Sequence, residues 1–348
     1  MEYEVTFGRK KKRADICVFD AANTTSPYIL VKVKKPKLKD GKEQLKSYCN
    51  ATGAPMGVWS NGEQISFYHR KDPNYFECIE SEVSAHAQMR QIENHLTARL
   101  NLKGWQLHEP LAYVQSSATV RLARRFDAEY FCPAKQTAQS ILANASEQTV
   151  GDQFESVREL WLPDGDESED EARNYDLNDA LAPFLEGQKP SSNRELIAST
   201  KKRIREGDLV VSRLRSYLKE IAIVESGGEL PMVASTEFIV LRPKLQDSLP
   251  VEALIVYLRS ALPQLIFKWS QDGSTHPRFD ERRLLRLPIP RALLAAVDQY
   301  VKSVRGIQTA RKRAVELLEA AKRAVKTAIE HNEAAALTNL AKLVSPAY

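Results

Sequence analysis

The stretch Ala292–Asn332 constrains the architecture more than any other part of this chain. Apolar or small residues at Val304, Ile307, Ala314, Leu318, Ala321, Val325 and Ala328 keep three- and four-residue spacing, with Arg311 breaking the seam. That is the stripe of a long, coiled-coil-like helix. Gly306 weakens it locally, since glycine costs ~1 kcal/mol in a helix interior. A helix of this kind draws little stability from propensity alone and needs a surface for its stripe. Three surfaces qualify: the region that precedes it, a second copy of the chain, or another protein. The small residues Ala314, Ala321 and Ala328 suit close antiparallel packing.

The remaining sequence is globular in character. Its 348 residues, 43% hydrophobic and 27% charged, allow two or three domains at about 150 residues each. Apolar runs such as Ile221–Val224 and Ala292–Val297 fall far short of the ~20 residues that cross a bilayer. No apolar segment follows the basic N-terminal cluster, so a secretory signal is not expected. Cys17, Cys49, Cys78 and Cys132 form no CxxC pair, and the six histidines show no ligand spacing. The expectation is a soluble, cytoplasmic protein with no membrane partner and no structural metal.

Charge is unevenly placed. Residues 1–50 carry twelve Lys or Arg against six Asp or Glu, Asp164–Asp179 is acidic, and Lys302–Lys326 is basic again. Such blocks fit a polyanionic partner, and they fit a solvated surface equally well. The acidic stretch reads as a surface loop.

Residues 1–80 read as α/β, in the order β-β-α-β-β. Strands are expected at Asp15–Phe19 and Tyr28–Lys34, ending at Pro36, with a helix at Gly41–Ala51 stopped by Gly53. A hairpin is expected from Met56–Ser60 through Asn61-Gly62 to Gln64–Tyr68. Alternation places Ile29, Val31 and Val33 on one strand face and Leu30, Lys32 and Lys34 on the other. An Asp on one strand and an acidic-x-Lys triplet on the next would hold Mg²⁺ beside a scissile phosphate.

Residues GRKKKRADICVFD, PYILVKVKKP, QLKSY and GAPMGVWSNGEQISFY resemble the N-terminal nuclease domain of type I restriction endonuclease subunits, within the PD-(D/E)xK superfamily. The resemblance implies Asp15 as the motif carboxylate, Lys34 as the motif lysine, and Gln44 with Tyr48 as the QxxxY helix. Lys32, however, stands where the second carboxylate belongs. At 4 Å and an effective dielectric of 20, like-charge repulsion is of order 4 kcal/mol per unit-charge pair. The helical segment with a further Glu that usually precedes the first strand in that family has no counterpart here. The reading is a small, truncated and catalytically degenerate domain that binds DNA backbone. Two alternatives stay open: rescue of metal binding at Asp15 by Asp20 or Glu43, and a purely structural module. The cluster Arg9–Arg13, including Lys11, offers phosphate contacts, each steepening salt dependence by a slope of about −0.9.

After an expected helix at Ser84–Leu100, strands are expected at Asp208–Arg213, Glu220–Glu225 and Ser235–Leu241, then a helix at Val251–Leu262. The turn carrying Ser212, Arg213, Arg215, Tyr217 and Lys219 is basic and polar. Its arginines suit bidentate contact with guanine or phosphate. The segment with Gln271, Ser274, Thr275, His276 and Arg278 adds amide, hydroxyl and guanidinium groups. The stretches EGDLVVSRLRSYLKEIAIV, VASTEFIVLRP and SQDGSTHPRFDERRLLRLPIP, with the earlier RRFDAEYFCP, resemble the target recognition domain of type I specificity subunits. The resemblance implies a mixed α/β domain reading half of a DNA site, followed by a spacer helix.

The expected organisation is therefore mixed α/β: residues 1–82 nuclease-like, 83–119 a helical linker, 120–290 a recognition domain, 291–333 the long helix and 334–348 a tail. Type I specificity subunits usually hold two recognition domains, and one is present here. The resemblance thus implies a half subunit that pairs through helix 292–332, as a homodimer or on a methyltransferase. No NPPF/NPPY-type motif and no GxxxxGK[ST] loop occurs, so S-adenosylmethionine and ATP are expected on partner subunits. Those partners are double-stranded DNA, a DNA adenine methyltransferase subunit and a restriction subunit. The rival reading is a site-specific, Mg²⁺-dependent endonuclease using Asp15. A third is a recombination product of neighbouring restriction genes, folded only in part.

Overall fold

The computed structural model describes residues 4–7, 10–13, 15–20, 23–35, 38, 41–72, 75–83, 85–100, 102, 107, 109, 112–145, 148–163, 170–272 and 277–330. The chain divides into two compact units, Met1–Gln88 and Met89–Tyr348. Among the described residues, no helix is long and apolar enough to cross a membrane.

In the first unit, β1 (Glu4–Phe7) and β2 (Lys10–Arg13) form an antiparallel hairpin. The basic cluster is thus partly strand. The elements β3 (Ile16–Asp20), β4 (Asn23–Val33), α1 (Lys42–Thr52), β5 (Met56–Ser60), β6 (Gln64–Asp72) and β7 (Tyr75–Val83) follow. The five strands β3 to β7 form one sheet in chain order, and only β4 and β5 run parallel. Helix α1 makes that crossover possible. It buries Leu45, Tyr48 and Cys49, at helical spacing, against Leu30, Trp59 and Tyr68 of the sheet. Gly53 closes α1 in the left-handed conformation at φ 81°, its N–H donating to the Cys49 carbonyl at 2.9 Å.

Three expectations change here. Strand β4 begins at Asn23, because Pro27 sits opposite Phe19 where the ladder shifts register. A proline, which has no N–H to give, is tolerated at such an irregularity. The β5–β6 turn is centred on Gly62-Glu63, one residue later than expected, since Asn61 and Gln64 close it with a backbone hydrogen bond. Strand β7 adds an edge that sequence reasoning did not reach.

The second unit contains most of α2 (Ala85–Arg99), then α3 (Ser117–Ala123), α4 (Pro133–Ala145) and α5 (Val150–Gln153). Its strands are β8 (Phe154–Val157), β9 (Leu160–Trp161), β10 (Glu171–Tyr175), β11 (Phe184–Leu185), β12 (Ser192–Asn193), β13 (Lys201–Ile204), β14 (Leu209–Ser212), β15 (Ile221–Val224), β16 (Met232–Ser235) and β17 (Phe238–Pro243). They form two five-stranded sheets, ordered β12-β10-β16-β13-β9 and β11-β15-β14-β17-β8. Tyr175, Ile204, Met232 and Ala234 of the first pack against Val210, Ala222, Val224, Phe238 and Val240 of the second.

Helices α6 (Val251–Arg259) and α7 (Ala261–Lys268) follow, then the short strands β18 (Gln271–Asp272) and β19 (Arg278–Phe279). The chain continues through α8 (Glu281–Leu285), α9 (Arg291–Leu294) and α10 (Val297–Glu330). Strands β14 and β15 are buried at every position; Val210, Ala222 and Val224 pack on the facing sheet, and α6 packs against β15. That explains their unbroken apolar runs, LVV and IAIV.

The acidic stretch is not wholly a loop. Glu171–Tyr175 forms β10, parallel to β16, with Ala172 and Tyr175 as its buried positions; residues 164–169 lie outside the described residues. The expected helix Val251–Leu262 breaks at Ser260. Pro263 cannot donate to the Arg259 carbonyl, but it fits the first turn of a new helix, where N–H groups lack helical partners anyway. The expected strand Ser235–Leu241 is two strands, β16 and β17, with Thr236 and Glu237 between them. In α10, Tyr300, Val304 and Ile307 are buried, and Arg305 and Arg311 pair with Glu252 and Glu225. The first part of the stripe therefore packs within its own unit. Ala314 is exposed, while the side chains of Leu318, Ala321, Val325 and Ala328 lie outside the described residues.

Candidate nucleic-acid interface

In the first unit, alternation along β4 buries Leu30 and Lys32 on the face that α1 covers. The Lys32 side chain is 11% exposed, and its ammonium lies 2.9 Å from Asp15 Oδ2 and 3.1 Å from Oδ1. The Val33 N–H also donates to Asp15 Oδ2, at 2.7 Å. Both oxygens of the one motif carboxylate are therefore engaged by an ammonium and an amide. The ammonium further lies 5.9 Å from the Tyr48 ring centroid, and Gln44 Nε2 donates to the Tyr48 hydroxyl.

These residues do not fit a Mg²⁺ site. A divalent ion wants several anionic or neutral oxygens, and here a cation already neutralises the single acid. Glu43 pairs with Lys46 at 2.8 Å on the exposed side of α1. The Asp20 side chain lies outside the described residues. Among the described residues, no group of three His, Cys, Asp or Glu could hold a metal. Lys34 runs its stem along Gly41, where an added Cβ would stand 2.4 Å from Lys34 Cε. Arg9 and the side chains of Lys11 and Arg13 lie outside the described residues, with Lys11 and Arg13 on β2.

In the second unit, three sequence-distant stretches meet. Beyond β14 the chain turns through Arg213–Glu220 and returns as β15. Leu214 bridges Arg278, and the Phe279 N–H donates to the Arg213 carbonyl at 3.1 Å. From β18, Gln271 Nε2 donates to Ser216 Oγ at 2.8 Å. From between β16 and β17, the Glu237 carbonyl accepts from the Arg213 N–H at 3.1 Å. The Glu237 carboxylate accepts from Arg278 Nε at 2.9 Å (Oε2) and 3.1 Å (Oε1) and from Nη2 at 2.5 Å. Arg213 Nε is buried without a hydrogen-bond partner among the described residues, 3.6 Å from the same carboxylate.

Glu237 is thus the centre that sequence reasoning missed. Its only signal was an acid inside the motif Ser235-Thr236-Glu237-Phe238. Hydrogen bonding from Arg278, against some burial, holds its carboxyl below the usual glutamate range. The turn itself is tightly specified. Arg215 and Lys219 both adopt the left-handed region, at φ 43° and 53°, a conformation that non-glycine residues hold only when their surroundings enforce it. Ser212 Oγ closes the turn against Leu214, accepting from its N–H at 3.3 Å and donating to its carbonyl at 3.1 Å.

Enforcement comes from a buried ion network. Arg259 Nη1 donates to the carbonyls of Lys219 and Ile221 at 2.7 and 3.0 Å, and its Nε to Glu93 of α2 at 2.9 Å. Lys219 Nζ binds the other Glu93 oxygen at 2.9 Å. The side chain expected to touch DNA is engaged inside the protein. Asp208 and Arg242, from the GD and LRP motifs, likewise form a buried bidentate pair at 2.8 Å. Arg215 is exposed. The Tyr217 side chain and Ser274, Thr275 and His276 lie outside the described residues.

Residues 1–81 match the family described as Type I restriction enzyme R protein N terminus, so the first unit is an R-like domain. Among curated proteins no match was found. Of solved structures, the chain is similar to the HsdS subunit from Thermoanaerobacter tengcongensis, at 15% identity and a TM-score of 0.28, over 65% of this chain and 50% of that one. It is also similar to a chain from a study of complex assembly and conformational transition in the type I R-M system. There the identity is 17% and the TM-score 0.25, over 75% of this chain and 60% of that one. The chain spans about half the length of the first of these structures.

Proposed function

We propose that this chain is the DNA-reading component of a type I-like restriction–modification system, carrying one recognition domain and an R-like domain that does not cut. The observation carrying this reading is the convergence of Arg213, Glu237, Gln271 and Arg278 from three distant motifs on one turn cluster. Guanidiniums and amides suit guanine and adenine edges, and a carboxylate can accept from cytosine N4. Glu237 holds the Arg278 guanidinium and lies 3.6 Å from Arg213 Nε, so one carboxylate orients both arginines.

Catalysis is then supplied by other chains: a DNA adenine methyltransferase with S-adenosylmethionine, and an ATP-driven restriction subunit. The exposed middle of α10, with Val315 and Leu317 on its surface, supports pairing with a second copy or with the methyltransferase. The endonuclease reading has no support from Asp15, whose oxygens bind Lys32 and Val33.

Selection of bound duplexes from a random pool tests the proposal. One motif should be enriched. Arg213→Ala or Arg278→Ala should weaken its binding by ~1–3 kcal/mol, while Arg9→Ala changes only the salt slope. Equal losses on selected and random DNA for all three variants would refute base reading.

A further inference from the structure

A cleft of about 660 Å³ opens between α4 and α8; its lining shares no residue with Arg213, Glu237, Gln271 and Arg278 of the turn cluster. Its wall carries Lys135, Gln136 and Gln139 from α4, and Arg282, Arg283 and Arg286 from α8 and its end. Lys135 is only 2% exposed. Among the described residues its one hydrogen bond goes to the Tyr130 carbonyl at 3.3 Å, and its ammonium lies 4.7 Å from the Tyr130 ring centroid. Among the described residues no carboxylate lies within ion-pair distance of it. Two ammonium N–H donors are thus left without a protein acceptor among the described residues, on the wall of a cleft that an anion can enter.

The acids nearby are taken. Asp280 is held by Arg282 at 2.8 Å. Asp272 is held by Arg125 at 2.7 Å, with Arg283 a further 3.7 Å away. Arg286 has no ion pair among the described residues.

We propose that this cleft binds a phosphate group. An ammonium, guanidiniums and two carboxamides all present donors, and a tetrahedral oxyanion can accept from several at once. Burial, with Arg283 and Arg125 adding repulsion, pushes the Lys135 ammonium down to about 8, so a bound anion should draw it back up. The phosphate could belong to a small phosphate ester or to a DNA backbone. Neither source depends on the turn cluster reading bases.

The test measures the acylation rate of Lys135 in the full chain near pH 8, by peptide mass spectrometry. The probes are inorganic phosphate, a short DNA duplex and chloride at matched ionic strength. A bound phosphate should slow acylation about tenfold. Protection by inorganic phosphate but not by duplex identifies a small-ester site, and protection by duplex identifies a backbone contact. Arg286→Gln, an exposed change that spares folding, should abolish protection. If neither probe protects beyond chloride, or if protection survives unchanged in Arg286→Gln and Arg283→Gln, the proposal is wrong. Failure of sequence selection with phosphate protection intact would overturn the base-reading assignment alone.

Discussion

With its ammonium 2.9 Å from Asp15, Lys32 neutralises the carboxylate that would otherwise attract a divalent cation. Replacing it with glutamate sets two acids side by side. Lys32→Glu should lower Tm without metal and regain it on adding Mg²⁺, while the parent protein shows no Mg²⁺-dependent shift. Differential scanning fluorimetry checks this, and a Mg²⁺ shift in the parent protein would contradict the pairing. Glu237 supplies a second case. Its carboxyl pKa is lowered, so the stability it lends is fully present above the ordinary value of 4.5 and is lost as pH falls through the lowered value. DNA selectivity should therefore be insensitive to this group between about pH 5 and 8. Glu237→Gln releases Arg278 and Arg213, and should steepen the salt dependence of binding while reducing discrimination between sequences, as read by fluorescence anisotropy. The arginines were legible as candidates in the sequence because their chemistry is local. Their shared acid was not, nor was the engagement of Lys219 by Glu93, because a one-dimensional charge pattern does not show which opposite charge lies across the fold.

Glu93 of helix α2 binds Arg259 and Lys219 at once within the second unit. Removing one member of such a buried set leaves uncompensated charge and typically costs 3–5 kcal/mol. Glu93→Gln should lower the stability of the second unit by about that amount in urea denaturation; a change within experimental error would show the network to be dispensable. Along α10 the contrast is between buried Ile307 and Val315, which is 44% exposed. Ile307→Ala should cost ~2–5 kcal/mol in monomer stability, and Val315→Ala almost nothing unless chains pair. A Val315→Ala loss that grows with protein concentration would reveal that pairing. Period-two alternation and apolar runs made β3, β5, β6, β14 and β15 legible, α10 showed helical spacing, and α1 was marked by a helix-compatible stretch with Gly53 as its stop. Strand β10 was hidden because Ala172 and Tyr175 are its only buried positions among polar neighbours. The break at Ser260 was hidden because Ala253–Leu258 is an unbroken apolar run, so periodicity could not locate it.

Across the full chain, two compact units carry different constellations. The first joins a five-stranded sheet to a crossover helix, matches the R protein N-terminus family, and ties Asp15 to Lys32. The second gathers three motif stretches into one donor-rich turn, stiffened from behind by Arg259. The interior ties holding each motif were not readable from motif order, since Asp208 and Arg242 meet only after β14 and β17 pair. The most direct test is to map adenine methylation genome-wide in cells expressing this chain with a neighbouring methyltransferase. One defined methylated motif should appear, vanish when the chain is omitted, and vanish or degrade with Arg213→Ala or Arg278→Ala. An identical motif without this chain, or one indifferent to both arginines, would contradict a DNA-reading role for the turn cluster.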